Sequence, residues 1–246
     1  MPPELPLLAL RSTIVFPHGT IAVQMGAPDN LALLRAHPEP GALVLLAVAL
    51  GDDAQDPARL EGRVGVLARV KDRSSSGAET IQVTLEGLAR VRIGALLQRA
   101  PFPVARVERA EEIAASRDGA RALTDRIVTT AEALVERNEQ FPAEVPGLLR
   151  RVAGDASRFA DLAASHGNLR IAERDEVLQR LDITARLEFV ASKWEKEIAR
   201  ATVLEEVKQQ TEVKVEQHHR EFYLRQQLQA IRAELGERDP TESDAQ

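Results

Sequence analysis

The sequence predicts an α+β protein: a small β-barrel, then an α-helical subdomain, then one very long helix. Three observations carry that prediction. Across residues 5–112 apolar side chains recur mostly with a period of two, the spacing of strands that bury one face. After a stretch at 114–119 with no periodic signal, the repeat becomes helical. Residues 182–235 then contain neither proline nor glycine, and a continuous helix of that length would extend about 80 Å at 1.5 Å per residue. The expected division is a barrel at 1–112, a helical subdomain at 113–181, a long helix at 182–236 and an acidic tail at 237–246.

In the first region Val64, Val66, Ala68 and Val70 alternate with Gly65, Leu67, Arg69 and Lys71. After a loop expected at 72–77, Ile81, Val83 and Leu85 alternate with Gln82, Thr84 and Glu86, which predicts a hairpin. Gly87 interrupts the run before Val91 and Ile93 and suggests a bulge or corner that curls the sheet. Residues 30–37 read as a short helix entered through Pro28-Asp29, with Asp29 as its cap. Pro101-Phe102-Pro103 opens one more strand at 104–108.

In the helical region Leu123, Ile127, Ala131 and Leu134 share one face, and Phe141-Pro142 and Val145-Pro146 end and restart the chain. Asp155 can cap a helix through Phe159, Leu162 and Ala163 that closes at Gly167, and a further helix covers 172–181. The long helix repeats in steps of four and three at its start (Leu187, Ala191, Trp194, Ile198, Ala201) and again at its end (Leu224, Leu228, Ile231, Leu235), with Gly236 as a stop signal. Between Lys208 and Glu221 only Val213 and Val215 are apolar. This middle should stand largely in water, held by helix propensity and by pairs such as Glu216 with Arg220 and Glu221 with Arg225, each worth a few tenths of a kcal/mol.

Composition narrows the function. At 246 residues the chain can bury a real core. Cysteine is absent, which removes disulfides, thiolate nucleophiles and cysteine metal sites and fits a reducing compartment. Met1-Pro2-Pro3-Glu4 lacks the basic start of a signal peptide, and the longest apolar run, 42–50, is far short of the roughly 20 residues that span a bilayer. A cytoplasmic address and no membrane partner are expected. Net charge is −6, with 12 basic and 13 acidic residues in 1–112 and 20 and 25 in 113–246, so neither half binds polyanions by bulk charge. Aromatic residues make up only 3%, which leaves few stacking platforms. Nucleic-acid binding is disfavoured.

No residue pattern points to catalysis. His218 and His219 are adjacent and so point roughly 100° apart on a helix, a poor arrangement for one metal. Glu212, Glu216 and His219 share a face, but nothing else marks a metal site there. Ser74, Ser75 and Ser76 have no histidine or lysine base nearby in sequence, and no carboxylate pair stands out. A Walker A loop needs a Gly-Lys step; none of the five lysines (Lys71, Lys193, Lys196, Lys208, Lys214) follows a glycine.

Four segments in order carry a family resemblance. They are Leu5-Pro6-Leu7-Leu8-Ala9-Leu10-Arg11-Ser12-Thr13-Ile14-Val15-Phe16-Pro17-His18, then Leu85-Glu86-Gly87-Leu88-Ala89-Arg90-Val91, then Leu181-Asp182-Ile183-Thr184-Ala185-Arg186-Leu187, and finally Arg220-Glu221-Phe222-Tyr223-Leu224-Arg225-Gln226-Gln227-Leu228 with Ala230-Ile231 and Glu234-Leu235-Gly236. Over its whole length the chain resembles the amino-terminal region of Lon-type proteases. It departs from that family in placing His18 before Gly19, where glycine commonly follows the proline directly, and Arg170 where a serine often caps the next helix.

The resemblance implies a PUA-like barrel, a helical subdomain and a long helix leading into an AAA+ ATPase and a Ser-Lys protease, six copies to a ring. It implies ATP and magnesium as cofactors of that larger assembly and none in this segment, which is expected to stop about where the ATPase begins and to be no enzyme itself. Implied partners are unfolded or damaged protein substrates, the ATPase and protease domains, and further copies of the same chain. Phe16 and Pro17 are then either core or an exposed apolar lip for extended client chains. Phe222, Tyr223 and Leu224 are either packing residues or client contacts, and Trp194, Ile198, Leu228, Ile231 and Leu235 are candidates for helix docking or oligomer contact. A free-standing ligand- or peptide-binding adaptor with the same barrel is the alternative.

Overall fold

The computed structural model describes residues 1–37, 39–51, 56–75 and 80–234. These fall into two units, Met1–Ile198 and Ala199–Gln246. The fold is α+β, with a mixed sheet followed by helices, as the change of apolar period predicts.

The first unit opens with six strands: β1 (Glu4–Leu10), β2 (Thr20–Met25), β3 (Leu43–Val48), β4 (Val64–Ser75), β5 (Ile81–Gln98) and β6 (Val104–Arg109). They hydrogen-bond in the order β2-β5-β4-β3-β1-β6. The 18-residue β5 is long enough to serve two neighbours: its first part pairs with β2 and its last part with β6. The ladder can therefore be followed from β5 through β4, β3, β1 and β6 back to β5. Shifts of register within β4–β5 and β5–β6 supply the bends such curling requires. Leu5, Leu7, Leu45, Val91, Ile93 and Val107 are among the side chains that fill one core cluster.

Leu67 belongs to that cluster too, although alternation assigned it to the face opposite Val66 and Ala68. Both faces of β4 are buried from Val64 to Ala68, so the period of two marks which core a residue enters rather than whether it is buried. Two local expectations are corrected. α1 (Pro28–Ala36) starts with Pro28 in its first turn and Ala27 as N-cap; Asp29 lies inside the turn and makes no capping bond. Residues 72–75 are strand, pairing as far as Ser75 with Ile81, and the rest of the loop expected at 72–77 lies outside the described residues.

Four helices follow: α2 (Arg117–Arg137), α3 (Val145–Val152), α4 (Ala156–His166) and α5 (Ile171–Gln179). α2 begins within the stretch that carried no periodic signal because the Ser116 hydroxyl accepts from the Gly119 amide and caps it. Asp155 caps α4 as expected, accepting from the Arg158 amide. Gly167 ends α4 with φ −71°, not in the left-handed region. A Cβ there would lie 2.9 Å from the Trp194 indole nitrogen, so close approach demands the glycine. At α5 the Arg170 amide donates to Glu173, and the Arg170 guanidinium donates to the same carboxylate. The missing serine cap is thus replaced by an acid three residues on.

α6 (Ile183–Glu234) is one 52-residue helix, with the Asp182 carboxylate accepting from the Ala185 amide at its start. Leu187, Ala191 and Trp194 are buried. In the second unit every side chain from Glu206 to Ala233 is exposed, including Val213, Val215, Leu228 and Ile231. Glu221 and Arg225 come within 3.9 Å. Leu235, Gly236 and the acidic tail lie outside the described residues.

Within the first unit, strands and helices are joined by a cluster of three buried charged residues, Arg90, Asp161 and Arg186, with Glu112 at its solvent edge. Arg90 on β5 makes two 2.6 Å hydrogen bonds to Asp161 on α4, and its Nε donates to the Leu178 carbonyl. Arg186 on α6 donates to Glu112 at 2.6 Å, to Ser157 at 3.0 Å and to the Arg180 carbonyl. The two guanidiniums thereby satisfy carbonyls left over at the C-terminal end of α5. Arg90, Asp161 and Arg186 are each at most 2% exposed at the side chain. Burial alone would raise the Glu112 carboxyl, but the hydrogen bonds and charge of Arg186 outweigh it and hold that group below its ordinary value. A second seam forms where the Gln179 amide accepts from Val64 N–H and donates to Val64 C=O, the pattern of a neighbouring strand. Arg63 and Asp175 pair beside it.

A buried ion pair that loses one member leaves an uncompensated charge, at a cost of about 3–5 kcal/mol. Asp161→Ala should lower unfolding stability by that amount in denaturant titration, and Arg90→Met/Asp161→Leu should lose clearly less. Glu173 is pushed down to about 2 by hydrogen bonds from the Arg170 guanidinium, Lys193 and the Arg170 amide. A carboxyl depressed below its unfolded value of about 4.5 stabilises the fold above that pH and loses the contribution as pH falls toward 2. Between about pH 4.5 and 2 the wild type should therefore lose more stability than Glu173→Gln.

Candidate functional site

The first unit carries a cleft of about 240 Å³ between the turn at residues 16–19 and helices α3 and α4. The turn is fixed from the sequence upward. The Gly19 amide donates to the Phe16 carbonyl, the His18 amide donates to the Gly87 carbonyl, and Gly87 returns its own amide to Gly19. A Cβ at Gly87 would sit 2.2 Å from the Phe16 carbonyl oxygen, so only glycine lets the turn lie against β5. The ladder shifts register there, between Leu67 and Ala68 on the partner strand. Gly87 is thus the bulge its interruption of the alternation predicts.

His18 has φ +64°. This is the left-handed conformation that glycine adopts freely and other residues adopt at a cost. The departure noted in the sequence, histidine at the position after Pro17, is therefore a departure in backbone strain as well.

Phe16 is 3% exposed and Pro17 is buried. The exposed apolar lip is corrected: Phe16 packs inward, as its parity with Ile14 allows, and the two residues form the closed side of the cleft. Its open side is Leu148 and Val152 on α3 and Leu162 on α4, all half-buried. Arg151 and Arg158 stand on the rim. Neither guanidinium has a carboxylate partner among the described residues. Asp161 also lines the cleft, but it is occupied by Arg90. The ion cluster that joins strands to helices thus also supports the cleft.

The other sequence candidates separate. Trp194 is 1% exposed, donates its indole N–H to the Ala163 carbonyl and packs edge-on against Phe141 at 5.8 Å, so it docks α6 inside its own unit and is not offered to another subunit. Ile198 is half-buried. Phe222, Tyr223 and Leu224 are 65%, 63% and 54% exposed on α6, and Leu228 and Ile231 are exposed with them. Leu235 lies outside the described residues. The sequence reading missed Arg90, Glu112, Asp161 and Arg186. Arg186 had a usable signal, because it shares a helix face with Ile183, Leu187 and Val190, where a charge needs a partner. Asp161 had none.

His18→Gly should relieve the left-handed strain and raise stability by about 0.5–1 kcal/mol after the entropy glycine adds to the unfolded chain. Thermal and denaturant unfolding read this directly, and a loss of stability would show that His18 makes compensating contacts.

Comparison with known proteins gives a consistent result. A family model for the ATP-dependent protease La (LON) substrate-binding domain matches residues 4–192. The Lon protease of Escherichia coli (strain K12) is 29% identical over 245 residues, covering 98% of this chain and 31% of that protein. Lon protease 2 of Myxococcus xanthus is 27% identical over 239 residues, covering 96% of this chain and 29% of that one. The chain spans about a third of the length of the curated relatives it matches. Among solved structures, the N-terminal domain of the Mycobacterium avium complex Lon protease superposes with a TM-score of 0.64 at 22% identity, covering 78% of this chain and 98% of that one. A Lon N-terminal domain protein from Xanthomonas campestris gives 0.53 at 19% identity, covering 77% and 97%. The barrel-like sheet, the helices packed on it and the match over residues 4–192 place this chain in the Lon substrate-binding domain family.

Proposed function

We propose that the chain is the substrate-recognition and assembly module of a Lon-type ATP-dependent serine protease, capturing unfolded or degron-bearing proteins for ATPase and protease domains that use ATP and magnesium. The family match over residues 4–192 carries this reading. The half-buried Leu148, Val152 and Leu162 beside Pro17 support it, because they offer apolar contact without a catalytic group. The barrel of 1–112 and the subdomain of 113–181 hold the client, and the helix of 182–236 leads to the motor. Exposed Phe222, Tyr223, Leu224, Leu228 and Ile231 supply packing for that assembly, a homo-oligomer whose weak contacts, repeated across copies, gain avidity. The proposed compartment is the cytoplasm; no helix among the described residues is long and apolar enough to cross a membrane.

The purified chain should hydrolyse neither ATP nor peptides. It should retain a chemically denatured client in a pull-down and release it when the client refolds. Equal binding of the folded and denatured client would contradict the reading.

A further inference from the structure

β2 is an edge strand. It pairs with β5 on one side, and among the described residues none pairs with it on the other. Gly87 exchanges hydrogen bonds with the turn before β2. By the alternation of an antiparallel ladder, Leu85, Val83 and Ile81 then bond to Ile21, Val23 and Met25. The N–H and C=O groups of Thr20, Ala22 and Gln24 point away from the sheet, and these three residues are exposed. Proteins usually guard such an edge with charge, proline or a bulge. Thr20–Met25, TIAVQM, has no charged residue and no proline. Its first residue follows Gly19, which lines the cleft rimmed by Arg151 and Arg158, and its last residues line a second groove of about 260 Å³ with Ser12 and Thr13.

We propose that β2 receives an extended client segment as an added strand, with a carboxylate at one end of that segment seated on Arg151 and Arg158 of the adjoining cleft, which have no carboxylate partner among the described residues. This rests on the recognition reading above and specifies its substrate class: unpaired backbone in extended form, flanked by an acidic group. Main-chain pairing supplies affinity with little dependence on client sequence. A folded protein has already paired its strands and offers nothing to the edge. These two guanidiniums set the end at which the segment stops, since a carboxylate matches their geometry and charge.

The test uses the full chain and a soluble, labelled peptide of alternating threonine and valine ending in two aspartates, followed by fluorescence anisotropy. N-methylation of every second peptide residue removes donors along one edge. Methylation in one parity should weaken binding by about tenfold or more, while the other parity binds within about twofold. Ala22→Pro, which removes an outward N–H and leaves the β2–β5 bonds in place, should weaken binding similarly. An asparagine-ended peptide should bind more weakly than the aspartate-ended one, and Arg151→Ala/Arg158→Ala should abolish that difference. Equal binding of both methylation parities to the wild-type chain, or an undiminished Ala22→Pro together with no aspartate preference, would overturn the proposal. If the denatured client is still retained in that case, recognition stands and only the edge is wrong; if the wild-type chain retains no client, the recognition reading itself fails.

Discussion

Two arginines buried between a curled sheet and a set of short helices hold the first unit together. Arg90 comes from the longest strand and Arg186 from the first turn of the longest helix, and they meet Asp161 and Glu112 between them. Such a cluster is expensive to desolvate and gives little net stability compared with apolar packing. Its consequence here is specificity: each guanidinium also donates to a carbonyl at the end of α5, so the helices can sit on the sheet in one arrangement. Gln179 enforces the same register by copying strand pairing against Val64. Phe16, Pro17, Leu148 and Leu162 come from segments far apart in sequence and line one cleft only because this joint fixes them.

Glycine and histidine at the turn show the same dependence on a smaller scale. Gly87 exists to admit the Phe16 carbonyl, and His18 accepts an unfavourable backbone conformation so that its amide can reach the Gly87 carbonyl. The turn closes one side of the cleft and launches β2. Strain is tolerated where it sets the geometry of a candidate binding surface.

Much of this architecture was legible in the sequence. The period of two, the helical period beyond residues 114–119 and the run free of proline and glycine pointed to the fold class, and Gly87 and Asp155 each marked a local event that the structure contains. The illegible parts have physical reasons. Leu67 is buried although alternation turns it away from Val66, because both faces of β4 are covered. Asp29 looked like a cap, but Pro28 needs no amide donor in a first turn and moved the helix start back. Asp161 gave no signal at all, since its partner Arg90 is 71 residues away and only tertiary structure pairs them. Phe16 and Pro17 were legible as either core or lip, and burial selects the core, where they wall the cleft.

Native-state hydrogen exchange tests the role of the charged joint most directly. If the cluster makes sheet and helices one cooperative body, the slowest amides of β4 and β5 and those of α4 and α5 should exchange through openings of the same free energy, with the same denaturant dependence. Exchange of α4 and α5 through a lower-energy opening that leaves the strands protected would show that the helices merely rest on the sheet, and the account would be wrong.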